Sequence, residues 1–233
     1  MSGNSQIPAY SPPFSKKEAL AYGWHAALDN IILLATAVAI AFIASLVFNY
    51  IESSAKTGGM DATVVALNIA SIVISVLIEL GFVHVALMIA RGEQIEWRAF
   101  FRPARFFFSY LIASTLFTIV VAVGIVLFIV PGVIWALMFA LYAYALVDED
   151  LGPIAAMKRS ALLTRGVRLE LFLFFLLVIG VNILGALTLG VGLVITIPAT
   201  MIATARVYYT LHNRLIPATT EEGAQVPVVV NNQ

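Results

Sequence analysis

The sequence contains no cysteine, and its few histidines are scattered. The absence of cysteine excludes disulfides, thiolate nucleophiles and cysteine-ligated metal sites. The histidines, His25, His84 and His212, are too far apart in the sequence to suggest metal-ligand spacing. No Ser-His-Asp set, paired carboxylates or glycine-rich phosphate loop is recognisable. We therefore expect neither an enzyme nor a bound metal or cofactor.

Charged residues are also scarce, and the two signs balance. There are 13 Lys and Arg and 13 Asp and Glu, so no overall basicity suggests a nucleic acid partner. Charged residues make up 11% of the chain, against about 25% in soluble domains. In contrast, 61% of the residues are hydrophobic, and the mean hydropathy is +0.99. This composition predicts a membrane protein.

Long apolar runs predict six membrane-spanning helices. The first two are expected near residues 31–48 and 63–90, and the first run is longer than a signal-peptide core. Residues 106–147 contain no charged side chain and are long enough for two spans, with a turn expected near Pro131 and Gly132. The run 171–205 divides similarly at Gly190 and Gly192. The expected fold is an all-α polytopic membrane bundle of six transmembrane helices with short interfacial helices.

The distribution of basic residues predicts an orientation for the bundle. Every Lys and Arg except Lys56 falls on one side of the predicted spans. Because basic loops stay on the cytoplasmic side, both termini are expected to be cytoplasmic, with the protein in the plasma (inner) membrane. Residues 1–13 and 217–233 are polar or proline-rich and are predicted to be disordered tails on a membrane domain at 14–216.

A short charged segment with a helical pattern precedes each predicted pair of spans. The segments are SKKEALAYGWHAALDN, IEWRAFFRPAR and VDEDLGPIAAMKRSALLTRG. In the first, Ser15 and Glu18 have capping-box spacing, and in the third, Pro153 suits a first helical turn and Gly166 a C-terminal cap. Amphipathic helices of this kind lie in the membrane interface.

The same order of elements suggests a threefold repeat of interfacial helix plus hairpin. GIVLFIVPGVIWALMFALYAY and GVGLVITIPATMIATARVYY align on Pro131 and Pro198. The alternative is that three amphipathic segments stand between hairpins without any duplication.

The segment PGVIWALMFALYAYALVDEDLGPIAAMKRSALLTRG resembles the central signature of a family of uncharacterised bacterial multi-span membrane proteins. That family is related to the membrane domain of some glycerophosphoryl diester phosphodiesterases. Its pattern is a Pro-Gly that begins a span, an acidic pair with valine that ends it, and a helix of the form LGPxxAxKRSxxLTRG. The closing segment LGVGLVITIPATMIATARVYY is similar to the last span of the family, and the resemblance extends over residues 14–215. It implies a small six-span membrane protein of unknown role, without phosphodiesterase chemistry.

Four polar residues form a stripe along the second predicted span. Asn68, Ser71, Ser75 and Glu79 recur at helical spacing on one face. A carboxylate near the bilayer centre costs about 2.5 to 3.5 kcal/mol on insertion scales, so Glu79 is expected to face protein or water or to be protonated. The stripe is interpreted either as an ion or proton path or as a set of hydrogen bonds between helices.

Other polar residues have simpler expected roles. Arg206 is expected to extend to the headgroups or to pair with an acidic group such as Glu79. Thr196, Thr200 and Thr204, like Asn182, are expected to hydrogen-bond their own helix or a neighbouring one. His84 is expected near the interface.

The basic residues of the second and third interfacial segments are candidates for lipid head-group contacts. These are Arg98, Arg102, Arg105, Lys158, Arg159 and Arg165. Clusters of this kind attract anionic lipids, but the same residues also orient a membrane protein.

Two functions remain after these exclusions. The first is a structural or interaction role at the membrane, with lipid contacts and with a protein partner or a homo-oligomer. The second is a small transporter or channel that uses the polar stripe. Neither requires a cofactor or a nucleic acid.

Overall fold

The computed structural model describes residues 13–56, 62–188 and 190–223, and in these ranges the regular structure is entirely helical. The long helices are α2 (Ile31–Lys56), α3 (Ala62–Ala90), α4 (Phe107–Leu127), α8 (Arg168–Leu187) and α9 (Leu193–Gly223). The shorter ones are α1 (Lys16–Asp29), α5 (Ile129–Phe139), α6 (Tyr142–Asp148) and α7 (Pro153–Leu163). Two short 3-10 helices, Trp97–Phe100 and Arg102–Phe106, lie between α3 and α4 and are called the 3-10 segment.

Five helical segments of the described residues are long and apolar enough to cross a membrane. They are Ile31–Ile51, Val65–Ala90, Trp97–Leu127, Ile129–Asp148 and Arg168–Leu187. The sixth expected span corresponds to the first part of α9, which is interrupted by polar residues such as Arg206. The all-helical membrane-type architecture is confirmed, and the count of six spans stays a prediction.

The turn between α4 and α5 lies slightly before its expected position. α4 ends at Leu127, and Phe128 adopts an extended conformation before α5 begins. Pro131 therefore lies in the first turn of α5, where proline is tolerated because its missing N–H would have no partner in the helix. A Cβ on Gly132 would lie 2.6 Å from the Ile125 nitrogen, so the two helices approach closely at this turn.

Two of the three expected interfacial helices form as the sequence indicates. In α1, the Ser15 hydroxyl accepts a hydrogen bond from the Glu18 N–H at 3.3 Å. In α7, Pro153 occupies the first turn, and Gly166 follows the helix with a positive φ of 79°. The second segment differs, because two 3-10 helices form in place of one α-helix.

The buried face of α1 differs from the face suggested by its larger apolar side chains. Ala19, Gly23, Ala26 and Ala27 are buried, whereas Trp24 is exposed. The small residues allow close packing on α9, since a Cβ on Gly23 would lie 2.2 Å from the Ala199 carbonyl oxygen. The exposed aromatic side is then free to face lipid.

The helices pack in a cyclic order when they are grouped as α1–α3, the 3-10 segment with α4–α6, and α7–α9. α1 packs on α9, the 3-10 segment packs on α3, and α7 packs on α5 and α6. The 3-10 segment and α7 thus each pack against the last helices of the group before them in the chain. α1 of the first group packs against α9 of the third, and this contact completes the cycle. The outer helices follow the same order, since α4 contacts α3, α8 contacts α5, and α2 contacts α9. Whether the sequence itself is repeated stays a prediction.

The last helices of the three groups meet in a packed centre. α3 contacts both α6 and α9, and Tyr144 of α6 donates a hydrogen bond to the Met201 carbonyl of α9 at 3.1 Å. Leu80, Leu146 and Ala203 have no solvent exposure. Side chains rather than an open channel therefore fill the described part of this centre.

The predicted tail boundaries are only partly within the described residues. α9 continues to Gly223, beyond the expected boundary at 216. Residues 1–12 and 224–233, which hold most of the two predicted tails, lie outside the described residues.

Candidate functional site: a charge network and a basic pocket

A network of buried charges joins the ends of several helices. Asp148, the last residue of α6, forms an ion pair with Arg91, which directly follows α3. The Tyr209 hydroxyl of α9 donates a hydrogen bond to Asp148 at 2.6 Å and accepts one from the Arg91 Nε. Only 6% of the Asp148 side chain is exposed. Three elements that are distant in the sequence therefore meet at one carboxylate.

The neighbouring Glu149 extends the network to α7. Arg159 of α7 donates from Nε to the Glu149 carboxylate at 2.7 Å. His212 of α9 places its Nδ1 3.2 Å from the same oxygen and 3.2 Å from the Arg159 Nη2. The Tyr208 hydroxyl lies 2.9 Å from Asp148 and 3.0 Å from Glu149. The network is defined by Arg91, Asp148, Glu149, Arg159, Tyr208, Tyr209 and His212.

Local backbone structure places these side chains. α3 ends at Ala90, and Gly92 follows with a positive φ of 76°, a conformation that favours glycine. After α6, the Leu151 N–H donates to the Leu146 carbonyl at 3.2 Å, and this turn directs the chain into α7. Asp148 and Glu149 thus remain at the helix end beside α9.

The tyrosine hydroxyls in the network act as hydrogen-bond donors. Burial, together with the adjacent Glu149 carboxylate, raises the pKa of Tyr208 well above its ordinary value. The hydroxyl consequently stays protonated at physiological pH. Hydrogen bonds to ionised groups are stronger than neutral ones, contributing about 1.5 to 3 kcal/mol each.

Further contacts of basic side chains lie around the network. Lys16, the first residue of α1, forms an ion pair with the buried Glu170 of α8. Arg206 donates to the Ala90 carbonyl at 3.4 Å, and its guanidinium lies 4.8 Å from the Tyr22 ring centroid. We call the region around the network and these contacts the basic end of the bundle. It corresponds to the side that the sequence predicts to be cytoplasmic.

A separate pocket at the basic end is lined by cationic side chains. It encloses about 380 Å³ between His84 of α3, Arg102 and Arg105 of the 3-10 segment, and Val147 of α6. Pro103 and Phe106 complete its lining. The His84 Nε2 atom is shielded from solvent and has no hydrogen-bond partner among the described residues. We call this cavity the basic pocket.

The structure places the predicted polar stripe in two different environments. Ser71 and Ser75 line a cavity of about 190 Å³ with Ser45 and Asn49 of α2. The Ser71 hydroxyl donates to the Asn68 carbonyl within its own helix at 2.8 Å. The packing of α2 against α3 is therefore interrupted at this level by a partly polar cavity.

Glu79, the fourth residue of the stripe, has other neighbours. Its carboxylate interacts electrostatically with the side chains of Tyr110 in α4 and Tyr142 in α6, which are both buried. The two tyrosine rings stack with a centroid distance of 5.9 Å. Glu79 itself is exposed on the surface of the chain. It is not among the residues lining the cavity of Ser71 and Ser75.

The predicted lipid-contact residues divide into two sets. Arg98, Arg102, Arg105, Lys158 and Arg165 are exposed. Arg159 is instead half-buried, and its guanidinium belongs to the network. Within the described part of the chain, Arg105 pairs with Asp150 at 3.0 Å, whereas Arg98, Arg102, Lys158 and Arg165 make no ion pair.

Thr200, Thr204 and Asn182 hydrogen-bond as expected, whereas the buried Thr196 hydroxyl has no hydrogen-bond partner among the described residues. Thr200 and Thr204 donate to the carbonyls of Thr196 and Thr200 at 2.9 and 2.7 Å. Asn182 donates to the Val178 carbonyl and also lies 3.3 Å from the Thr200 hydroxyl. These bonds join α8 to α9.

Sequence reasoning did not identify the network as a site. It included Asp148 and Glu149 only in the third charged segment, VDEDLGPIAAMKRSALLTRG. One signal was available, because acidic side chains at the buried end of a span need partners. The partners themselves come from helices far apart in the sequence.

Comparison with known proteins identifies one family for part of the chain. Residues 120–214 match a family described as a protein of unknown function (DUF975). The match fits the expectation of an uncharacterised family, and it covers less than half of the chain. The relation to the membrane domain of glycerophosphoryl diester phosphodiesterases stays a prediction. No curated protein and no solved structure matches the chain.

Proposed function

We propose that this chain is a multi-pass plasma-membrane protein with a structural or interaction role, and that it binds anionic lipids at its basic end. The proposal places both termini in the cytoplasm and includes no enzymatic reaction, cofactor or nucleic acid. Its partners are membrane lipids, together with a protein partner or a second copy of the chain. The observation that carries the proposal is the network, in which α3, α6, α7 and α9 meet through buried charges.

The arrangement of the network supports a structural role. Removing one member of a buried charge pair is strongly destabilising because it leaves the other member uncompensated. Asp148 and Glu149 are engaged by side chains from three other segments, so their oxygens have partners within the protein. A binding or transport site would instead need such groups open to a ligand. The packed contact between α3, α6 and α9 supports the same conclusion.

The exposed basic residues support the lipid-binding part of the proposal. Arg98, Lys158 and Arg165 are exposed and make no ion pair with the described residues. Juxtamembrane basic residues each contribute about 1 kcal/mol to the attraction of an anionic membrane surface. Several such residues on one side therefore favour anionic lipids over zwitterionic ones.

Lipid retention tests this proposal directly. The full chain would be purified from a detergent mixture containing equal amounts of phosphatidylglycerol and phosphatidylcholine, and bound lipids would be counted by native mass spectrometry. We expect preferential retention of phosphatidylglycerol. The triple variant Arg98→Gln, Lys158→Gln, Arg165→Gln should weaken that preference. Lys56→Gln, on the opposite predicted side, is the control and should leave it unchanged. Equal retention of both lipids by the wild type would contradict the proposal.

Glu79 favours a second candidate function, a proton or cation path. An exposed carboxylate within a predicted span, beside Tyr110 and Tyr142, is the kind of group that proton relays use. The test is proton flux into proteoliposomes under an imposed membrane potential. Flux in the wild type that disappears in Glu79→Gln would support a path. Flux equal to that of empty liposomes would support the structural role.

A further inference from the structure

We propose that the basic pocket binds a phosphate group, and that the phosphodiester headgroup of an anionic lipid is its occupant. This inference rests on the proposed function, because it assigns lipid binding at the basic end to one defined set of residues. The pocket is formed where α3, the 3-10 segment and the end of α6 converge, and Arg102, Arg105 and His84 are among its lining residues. An extended basic surface would have no such enclosure.

Arg102 supplies the principal recognition group. Its side chain is exposed and makes no ion pair or hydrogen bond with any residue that the structure describes. Arg105, on the same segment, is directed partly toward Asp150 but remains 67% exposed. A guanidinium presents a planar fork of N–H donors that matches two oxygens of a phosphate. The two arginines therefore offer more donors than Asp150 can accept.

The His84 imidazole provides a second, independent indication of a ligand. Its Nε2 atom is buried but lacks a hydrogen-bond partner among the described residues. Most buried polar atoms in proteins have such a partner, and leaving one without it costs free energy. His84 lines the pocket, but Nε2 has no surface open to solvent. A turn of the ring toward the pocket would allow a phosphate oxygen there to accept a hydrogen bond from Nε2 in the appropriate tautomer.

The surrounding charges favour an anion. Four charged side chains interact electrostatically with His84. Three are arginines, Arg102, Arg91 and Arg105, and one is acidic, Glu93. Asp150 is paired with Arg105, and Asp148 is already paired with Arg91. The acidic residues near the pocket are thus matched by arginines, and Arg102 remains without a counter-charge in the described structure.

The position of the pocket points to a lipid as the source of the phosphate. Phe101 and Phe108 lie beside its arginines in the sequence and are 78% and 74% exposed. They belong to a segment long and apolar enough to enter a membrane. A lipid phosphate in the pocket could place its acyl chains along these exposed rings, whereas free phosphate would gain nothing from them.

Titration with defined lipids tests the inference. The full chain in neutral detergent would be titrated with short-chain phosphatidylglycerol, and the dissociation constant obtained from the shift in the thermal unfolding midpoint. We expect Arg102→Gln to weaken binding by about tenfold, the equivalent of one lost charge-assisted contact. Arg214→Gln is the matched control, because Arg214 is also an exposed arginine but neither lines the pocket nor belongs to the residues assigned to lipid contact. It should change binding less than twofold, within the ordinary scatter for a surface charge.

A second variant and a competitor complete the test. His84→Gln should also weaken phosphatidylglycerol binding, with an unchanged response to phosphatidylcholine as evidence that it folds. Millimolar inorganic phosphate should not displace the lipid, and efficient displacement would overturn the lipid assignment. Equal losses for Arg102→Gln and Arg214→Gln, or no loss for either, would overturn the pocket. In those cases a retained preference for phosphatidylglycerol would leave the proposed function intact.

Discussion

The network and the polar stripe of α3 place similar residue types in opposite settings. In the network, carboxylates, arginines and tyrosines from distant segments bind one another, and the central Asp148 side chain is only 6% exposed. Along α3, Ser71 and Ser75 line a cavity beside α2, and Glu79 is exposed. Polar residues in a membrane helix therefore do not identify a site by their spacing alone. What matters is whether other segments bring partners to them.

The two regions also differ in how tightly their helices pack. Only 11% of the α2 span is buried, against 56% of the α3 span. α3 is shared by the two regions, since its last turns lie at the basic end while its middle turns, around Ser71 and Ser75, face α2. Changes at the basic end should consequently cost more stability than changes beside α2. The following predictions test that ranking.

The largest loss is expected from removing the central carboxylate of the network. Asp148→Ala leaves Arg91 with only the exposed Glu93 as an acidic partner, at 3.5 Å, and removes the acceptor of the Tyr209 hydroxyl. Breaking a buried charge pair costs about 3 to 5 kcal/mol. Because Arg91 is partly exposed, we expect the free energy of unfolding to fall by about 3 kcal/mol. Equilibrium unfolding in mixed micelles with rising SDS fraction measures the change. A loss below about 1 kcal/mol would place this pair among ordinary surface pairs.

A smaller loss is expected where α1 packs on α9. In Gly23→Ala the new Cβ would lie 2.2 Å from the Ala199 carbonyl oxygen, so the helices must separate. Overpacking of this kind costs about 1 to 3 kcal/mol. Gly180→Ala in α8 is the control, because nothing lies within 4 Å of its new methyl group. The same unfolding assay should show Gly180→Ala to be neutral or slightly stabilising, and similar losses for both variants would contradict the packing.

The exposed ion pair of the basic end should contribute little. Arg105 and Asp150 lie 3.0 Å apart but are 67% and 64% exposed. Asp150→Asn should lower the free energy of unfolding by less than about 1 kcal/mol, because water screens such pairs. The comparison with Asp148→Ala separates burial from charge, since both variants remove one carboxylate. Equal losses would mean that burial does not decide the contribution.

The smallest effect is expected in the polar stripe. Ser71→Ala and Ser75→Ala remove hydroxyls that face the cavity beside α2, and Ser71 donates only within its own helix. Each should change the free energy of unfolding by less than about 0.5 kcal/mol, as surface substitutions usually do. Unfolding of each variant in the same mixed micelles checks this. A loss above about 1 kcal/mol would indicate interhelical hydrogen bonding at the stripe.

The sequence allowed the helices to be predicted more completely than their polar partners. Apolar length located α2, α3 and the two hairpins, because a helix satisfies its own backbone hydrogen bonds and needs only length to cross a bilayer. Pro153 and Gly166 marked the limits of α7 for equally local reasons. The 3-10 geometry around Pro103 was not predicted, since the charge pattern of that segment fitted an α-helix.

The network could not be predicted because its members come from different groups of helices. In the sequence, Arg91 was one of the basic residues of the predicted cytoplasmic side and Asp148 belonged to the third charged segment, and no local spacing relates them. Their meeting depends on α3 and α6 ending at the same level, which packing determines. Glu79 illustrates the converse, because its helical spacing joined it to Ser75 while the folded chain gives it the tyrosine neighbours of α4 and α6.

A double-mutant cycle on Arg91 and Asp148 tests most directly whether the network holds the bundle together. Unfolding free energies would be measured for the wild type, Arg91→Ala, Asp148→Ala and the double variant in the same mixed micelles. A coupled pair should give a double variant that is more stable than the sum of the single losses predicts, by at least about 1.5 kcal/mol. Losses that add to within about 0.5 kcal/mol would contradict the account, because independent residues behave in that way.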